Sequence, residues 1–266
     1  NSAGRLYSGR EAVRLLLGDS DRLKEFAEDL HAYNAERKAL DTVITREAMS
    51  MIAADKQFSK TKTTLLHDAQ WHKGVIGIVA SRLIERHFRP TILLTKSGDN
   101  WVGSGRSVPG FDLYAALEAC KEHIVQFGGH KYAAGLTLRD EDLPAFRKGF
   151  EQAVASRITP EDLQPQLEIA YKMDFSKLTP RFIRLAKRLA PFGPGNPEPV
   201  FEAQNVTVKD CRVLKSEHIK FTFEQNGIRF EGIGFGLAWR WVEVNALSLD
   251  IAFHADFKTW KGQTSI

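Results

Sequence analysis

From residue 19 to residue 54 the chain contains neither glycine nor proline. Through that stretch Leu23, Phe26, Leu30, Tyr33, Arg37, Leu40, Ile44, Ala48 and Met51 follow one another at three- and four-residue steps, the repeat of one helix face. At 1.5 Å per residue the spacing predicts a rod roughly 50 Å long. Asp19 or Ser20 offers an oxygen to cap its start, and a shorter helix over residues 10–17 ends before it at Gly18. A helix of this length enters a coiled coil or joins two bodies. Its apolar stripe is thin and its opposite face is charged, so a bridging strut is expected.

The remainder divides into two kinds of pattern. Residues 63–160 alternate between short apolar runs and helical periods. Strands are expected at 63–67, 91–95, 100–106 and 132–138, with helices at 74–87, from a cap at Asp112, and at 141–155. That order specifies an α/β domain with a mixed sheet. Residues 159–165 (Thr-Pro-Glu-Asp-Leu-Gln-Pro) read as a linker, and a helix follows near 180–189. Four prolines and two glycines between Ala190 and Pro199 exclude regular structure there. Beyond Val200 the chain reads as β, with strands at 205–214, 218–224, 229–235 and 247–259 and one helical interruption near 237–242. An OB-fold barrel fits this run of strands.

Composition narrows the class. The 266 residues are enough for two cores, and 43% hydrophobic with 26% charged residues is ordinary for a globular protein. The net charge is +4, and residues 61–160 carry 13 basic against 10 acidic side chains, which suits a local anionic site. Cys120 and Cys211 are the only cysteines, with no metal or redox spacing, so a reducing cytoplasm is expected. No apolar run approaches the ~18 residues of a membrane span, so no membrane partner is expected. The opening Asn1-Ser2-Ala3 without an initiator Met, and the close on a fresh β-type run, lead us to expect a piece of a longer chain.

Three motifs carry chemistry. In Phe127-Gly128-Gly129-His130-Lys131-Tyr132-Ala133-Ala134-Gly135, two glycines cost backbone entropy beside a histidine. Such a run is either a tight strand-entry turn with a core-facing His or a close approach to a phosphate. In Gly103-Ser104-Gly105-Arg106-Ser107, Ser104 and Arg106 share one strand face. They set a hydroxyl beside a guanidinium whose planar donors match two phosphate oxygens, with the flanking glycines read as clearing space for a ligand. The alternative is an Arg in an intradomain ion pair. Trp71-His72-Lys73-Gly74-Val75-Ile76-Gly77 puts two glycines in the first turn of a helix, for helix–sheet packing or for an anion at free N–H groups. His67, Asp68 and His72 match no ligand spacing, and no metal site is expected.

Taken in order, Trp-His-x-Gly-Val-Ile-Gly-Ile-Val-Ala-Ser-Arg, Gly-Ser-Gly-Arg-Ser-x-Pro-Gly-Phe-Asp-Leu and Phe-Gly-Gly-His-x-x-Ala-Ala-Gly-Leu resemble the DHHA1 domain of the DHH/DHHA1 phosphoesterases. Asn1-Ser2-Ala3-Gly4-Arg5-Leu6 and the segment from Leu189 to Phe201 narrow the resemblance to the RecJ family of single-strand-specific 5′-exonucleases. It covers essentially the whole chain. It implies the end of a DHH catalytic domain over 1–18, a connector helix over 19–56, a DHHA1 substrate-binding domain over 57–160, a linker with a helix over 161–200 and an OB-fold over 201–266. It further implies that Arg5, Ser104 and Arg106, with Gly128 and Gly129, bind the DNA 5′ phosphate, and that His130 faces the active site.

The Asp-His-His motif and the other aspartates that hold Mn²⁺ or Mg²⁺ in that family are absent from these residues. This chain is therefore expected to bind single-stranded DNA without cutting it. In the OB region Lys209, Arg212, Lys215 and Lys220 are candidates for a basic groove, with Phe221 and Phe223 on one strand face. Phe201, Phe230, Phe253 and Phe257 are expected in the core, and other repair proteins are candidate partners through this domain. Two further readings are a DHH/DHHA1 phosphodiesterase for short RNA or cyclic dinucleotides, which needs no OB domain, and a non-enzymatic nucleic-acid-binding or tRNA-editing module.

Overall fold

A computed structural model describes residues 2–18, 22–240, 248–260 and 262–266. These divide into two compact units that meet in sequence at Pro165 and Gln166. The first unit opens with α1 (Ala3–Leu6), α2 (Arg10–Leu17) and α3 (Leu23–Ala54). Gly18 takes the left-handed φ of +67° that ends α2 and donates its N–H to Leu15 O, a conformation glycine adopts without strain. The expected caps Asp19 and Ser20 lie outside the described residues.

The long helix is present, at about 48 Å for its 32 residues, but it is not a free strut along its length. Ile44, Ala48 and Ile52 pack into a core with Trp71, Val75, Ile76, Val79, Ala80, Leu83 and Leu93. Trp71 Nε1 donates to Glu47 at 2.9 Å. At the other end Tyr7 stacks on Tyr33 with ring centroids 4.1 Å apart and donates to Glu36 at 2.7 Å. The apolar repeat missed one inward residue because it is charged. Asp41, 2% exposed, accepts from Arg82 Nη2 at 2.8 Å and Arg37 Nη1 at 3.3 Å. A carboxylate tolerates burial only when cations accompany it, and this trio ties α3 to the following helix.

That helix, α4 (Ile76–His87), joins β1 (Thr64–His67) to β2 (Thr91–Ser97), which run parallel. A turn at Gly98 leads into β3 (Asn100–Arg106), antiparallel to β2. Next come α5 (Leu113–Glu118), β4 (Gln126–His130), β5 (Ala133–Arg139) and α6 (Leu143–Ala155). Asp112 caps α5 as expected, accepting from Ala115 N at 3.0 Å. The sheet order is β1-β2-β3-β5-β4. Thr91, Ile92, Leu93, Leu94 and Thr95 are all buried because β2 has a core on each face. Ile92 and Leu94 face α5 and α6, whereas Leu93 faces α3 and α4. The Gly-Gly-His run is not an entry turn: residues 128–130 are ladder residues of edge strand β4. Cys120 is 1% exposed, and burial pushes its thiol up to about 12.

The second unit contains β6 (Tyr171–Lys172), α7 (Pro180–Lys187), β7 (Phe201–Leu214), β8 (His218–Gln225), β9 (Ile228–Gly234), β10 (Leu249–Phe253), β11 (Lys258–Trp260) and β12 (Gln263–Ser265). Thr179 caps α7 by accepting from Phe182 N at 3.1 Å. The main sheet runs β10-β7-β8-β9, with β6 parallel to the start of β7. The 14 residues of β7 serve two sets of neighbours. Phe201–Val206 pairs with β10, then Asn205 takes a φ of +56° and donates its N–H to Asp250 at 2.9 Å, and the strand continues from Thr207 beside β8.

Met173, Phe175, Leu178, Phe201, Ala203 and Val206 form the core. Phe175 meets Phe230 and Phe253 edge-on. Residues 171–187, placed by the family resemblance in a linker with a helix over 161–200, therefore supply buried side chains. The expected strand over 247–259 is two strands, because residues 254–257 leave the ladder. His254 Nδ1 lies 3.1 Å from Pro199 O, and Asp256 pairs with Lys187 of α7. The helical interruption appears as a short 3₁₀ turn over Ala238–Arg240; residues 241–247 lie outside the described set. No described helix is long and apolar enough to cross a membrane.

Replacing Asp41 leaves two guanidinium groups against the helix interface without their counter-charge. Asp41→Ala is expected to lower the unfolding free energy by about 3 kcal/mol, the scale of a broken buried ion pair. Denaturant titration of the variant against the parent chain measures it.

Candidate functional site

Helix α4 begins against β3, and glycine allows the approach. A Cβ at Gly77 would lie 2.8 Å from both Arg106 Nη2 and Ser104 Oγ, closer than such atoms pack. A Cβ at Gly74 would lie 2.0 Å from Arg5 O, so the same turn also receives the backbone of α1. The result is a groove of about 500 Å³ in which Arg5, Lys73, Ser104 and Arg106 come together over Gly74 and Gly77. Arg106 Nη1 donates to Ser104 Oγ at 3.0 Å and to Gly105 O at 2.7 Å. Arg5 Nη1 reaches Gly74 O at 3.4 Å.

The electrostatics point one way. Among the described residues no carboxylate lies within 4 Å of Arg5 or Arg106, so the intradomain ion pair considered for Arg106 is not made. Burial, and then repulsion from Arg5, hold the Arg106 guanidinium below its usual range. Two like charges gathered without a counter-ion favour an anion between them. The helix contributes as well. The N–H of Gly77, in its first turn, has no backbone acceptor among the described residues, and such groups carry the positive end of the helix dipole.

One expectation is reversed in detail. Gly103 and Gly105 do not clear space for a ligand. Their missing side chains make room for Leu94 and Leu136, and for Leu113, on the α5–α6 side of the sheet. The glycines that open the ligand face are Gly77 on α4 and Gly128 and Gly135 on the sheet. Register shows this directly. Ser104, Gly135 and Gly128 stand in one row across β3, β5 and β4, and Arg106, Ala133 and His130 stand in the next. With strands about 4.8 Å apart, His130 lies on the Arg106 face and about 10 Å to the side. Gly128 has nothing within 4 Å of its absent Cβ.

Gly129 faces the other way, where a Cβ would sit 2.3 Å from Ala133 O, and its φ of +150° is one that glycine alone holds easily. His130 is exposed and accepts the Tyr132 N–H on Nδ1 at 3.2 Å. In the neutral ring that leaves Nε2–H as a donor toward solvent.

Other predicted residues fall elsewhere. His67 stands edge-on to Trp101, with Arg147 Nη2 3.3 Å from its Nδ1, and burial together with Arg147 lowers its pKa. His72 Nδ1 takes the Gly74 N–H, and Asp68 takes the Gln70 N–H. Among the described residues no three His, Cys, Asp or Glu side chains are placed to hold a metal ion. The proposed OB groove is partly neutralised. Lys209 pairs with Glu224 at 3.0 Å and Lys220 with Glu231 at 2.8 Å. Phe221 is buried and stacks on Phe223, both lying over Gly232 and Gly234. Arg212 and Lys215 have no carboxylate partner among the described residues. Lys73 is the groove residue that motif reading passed over. Its signal was its place beside the two glycines of the helix start.

An α/β domain with an uncompensated cation groove, followed by a curled β unit, is the arrangement of a DHHA1 domain joined to an OB domain. The family descriptions match accordingly, DHHA1 over residues 57–156 and the RecJ OB domain over residues 169–266. The second of these is the OB domain of RecJ proteins, and the curated relatives that the chain matches are RecJ exonucleases. It is 32% identical over 240 residues to the single-stranded-DNA-specific exonuclease RecJ of Bacillus subtilis, covering 88% of this chain and 30% of that protein. To the RecJ exonuclease of Escherichia coli it is 29% identical over 280 residues, covering 100% of this chain and 48% of that protein. The crystal structure of RecJ in complex with Mn²⁺ from Thermus thermophilus superposes with a TM-score of 0.83 at 28% identity, over 99% of this chain and 38% of that one. The chain thus spans less than half the length of these relatives.

Gly77→Ala tests the groove. A methyl there displaces the guanidinium of Arg106, the flexible partner, while alanine suits a helix. The melting temperature is expected to stay within a few degrees. Affinity for a 5′-phosphorylated oligonucleotide is expected to fall about tenfold, the worth of one charge-assisted contact. Fluorescence anisotropy reads the second quantity.

Proposed function

We propose that this chain is the substrate-binding part of a single-stranded-DNA-specific 5′–3′ exonuclease of recombination and repair, and that its groove holds the 5′ phosphate. The observation that carries the reading is the meeting of Arg5, Ser104 and Arg106 over a glycine floor with no carboxylate among them. A terminal phosphate carries more negative charge than an internal one and answers that charge more fully. Arg106 supplies a fork to two oxygens, Ser104 a hydroxyl and Gly77 a main-chain donor. Lys73 adds a cation at the rim.

The strand then continues over the smooth row of Gly135 and Gly128 toward His130, whose Nε2–H donates to a phosphate oxygen and orients it. RecJ of Thermus thermophilus has been crystallised with Mg²⁺ and with Mn²⁺. The described residues of this chain offer no ligand set for such an ion, so no hydrolytic step is assigned to them. The match of residues 169–266 to the RecJ OB domain supports a polymeric substrate over a cyclic dinucleotide or very short RNA. Work in the cytoplasm agrees with two unpaired thiols.

The purified chain is expected to bind a 5′-phosphorylated single strand about tenfold more tightly than its 5′-hydroxyl counterpart. Arg106→Ala is expected to erase that preference and to lower the salt slope by about 0.7, as for one phosphate contact on a single strand. Equal affinity of the parent chain for the two strands would overturn the reading. In Mn²⁺ the same chain is expected to leave a 5′-phosphorylated single strand undigested over hours, as followed by denaturing electrophoresis.

A further inference from the structure

The phosphate groove has a support that does not line it. In Trp71-His72-Lys73-Gly74, His72 Nδ1 accepts the Gly74 N–H at 3.1 Å. Gly74 lies two residues before the start of α4 at Ile76, so this bond is not one of the helix's own. The His72 carbonyl already closes the turn, accepting from Val75 N at 2.9 Å and Ile76 N at 3.2 Å. What the ring adds is a hold on the peptide between Lys73 and Gly74. Glycine there leaves the main chain free to rotate unless something fixes it. Lys73, a cation of the groove, sits inside the loop that the bond closes.

Arg5 depends on that glycine twice. Its Nη1 reaches Gly74 O at 3.4 Å, and its own carbonyl occupies the place that a Gly74 Cβ would need. The helix that carries it offers little direction. α1 is a single turn of four residues without a side-chain cap, too short to persist by itself. Packing of Ala3 and Leu6 holds the turn against its neighbours, but it does not aim the Arg5 side chain. Arg106 repels that side chain as a like charge. A guanidinium set against another needs a seat, and the Gly74 main chain is that seat.

We propose that His72 is a positioning residue of the phosphate groove: its Nδ1 sets the Gly74 main chain, and that main chain seats Arg5 opposite Arg106. The role belongs to one ring atom, since accepting on Nδ1 leaves the ring proton on Nε2. It rests on the 5′-phosphate reading above and adds to it a residue that does not itself meet the phosphate.

The test uses the full chain and reads, by fluorescence anisotropy, the ratio of affinities for a 5′-phosphorylated single strand and its 5′-hydroxyl counterpart. A purely structural role lowers both affinities together and leaves the ratio alone. His72→Ala is expected to lower the ratio about threefold, the lower range of one hydrogen bond. His72→Asn, whose Oδ1 takes the place of Nδ1, is expected to keep it. His72→Gln sets its oxygen one bond further out and is expected to behave as alanine does. In an Arg5→Ala background His72→Ala should change the ratio no further, because residues acting through one contact are not additive. Gly74→Ala, which displaces the Arg5 carbonyl, should lower the ratio as well. The proposal is overturned if His72→Ala leaves the ratio unchanged, if asparagine fails as alanine does, or if the loss is as large without Arg5. Should the alanine variant not fold, asparagine and glutamine decide the matter, and equal ratios for the two overturn it. If Arg5→Ala and Arg106→Ala erase the preference while every His72 variant keeps it, this role falls and the groove stands. A parent chain that binds the two strands equally overturns both.

Discussion

Gly77 sits where the first turn of α4 meets β3, and much of the first unit is arranged around that contact. A Cβ there would come within 2.8 Å of the Ser104 hydroxyl and the Arg106 guanidinium, so glycine leaves both side chains their place against the helix. With glycine the helix closes down, its partly unpaired N-terminus faces the arginine, and the small-residue approach becomes a groove. The buried Asp41 trio acts on the same helix from behind. Arg82 of α4 and Arg37 of α3 converge on one carboxylate oxygen, so the helix that shapes the groove is anchored by charge as well as by apolar packing.

The groove carries an energetic cost of its own kind. Two other half-buried cations of the unit, Arg89 and Arg147, lie against backbone carbonyls rather than beside a second guanidinium. Arg5 and Arg106 stand near one another without a carboxylate, and Arg106 is destabilised as a cation by burial. Gathering like charges in a half-dry groove is unfavourable until an anion arrives, and that imbalance is the physical basis of a phosphate site. The second unit shows the contrast on its surface. Lys209 and Lys220 are neutralised by neighbouring glutamates, while Arg212 and Lys215 are not.

Much of this was legible in the residues themselves. Strand β3 lies at 100–106 as the alternation indicated, the Asp112 cap is made, and Ser104 and Arg106 share a face because a strand leaves them no choice. The glycines were harder. Gly103 and Gly105 flank the site residues in sequence and yet serve the opposite core, because period-two alternation sends them through the sheet. Asp41 was invisible to an apolar repeat, since its inward position depends on an arginine 41 residues away as well as on Arg37.

By itself the sequence determined which local elements form and which chemistry each presents: a long uninterrupted helix, a Ser–Arg strand face, glycines at a helix start and a β-rich end. Periodicity, capping and glycine are local properties of the chain, so they are readable without coordinates. Tertiary structure alone decided who meets whom. It brought Arg5 across 69 residues to Gly74, and it laid the Gly-Gly-His run as an edge strand in line with Arg106 rather than as a turn. It also silenced two of the expected lysines. Those outcomes depend on long-range packing and register, where one side chain's surroundings are set by residues far away in the chain.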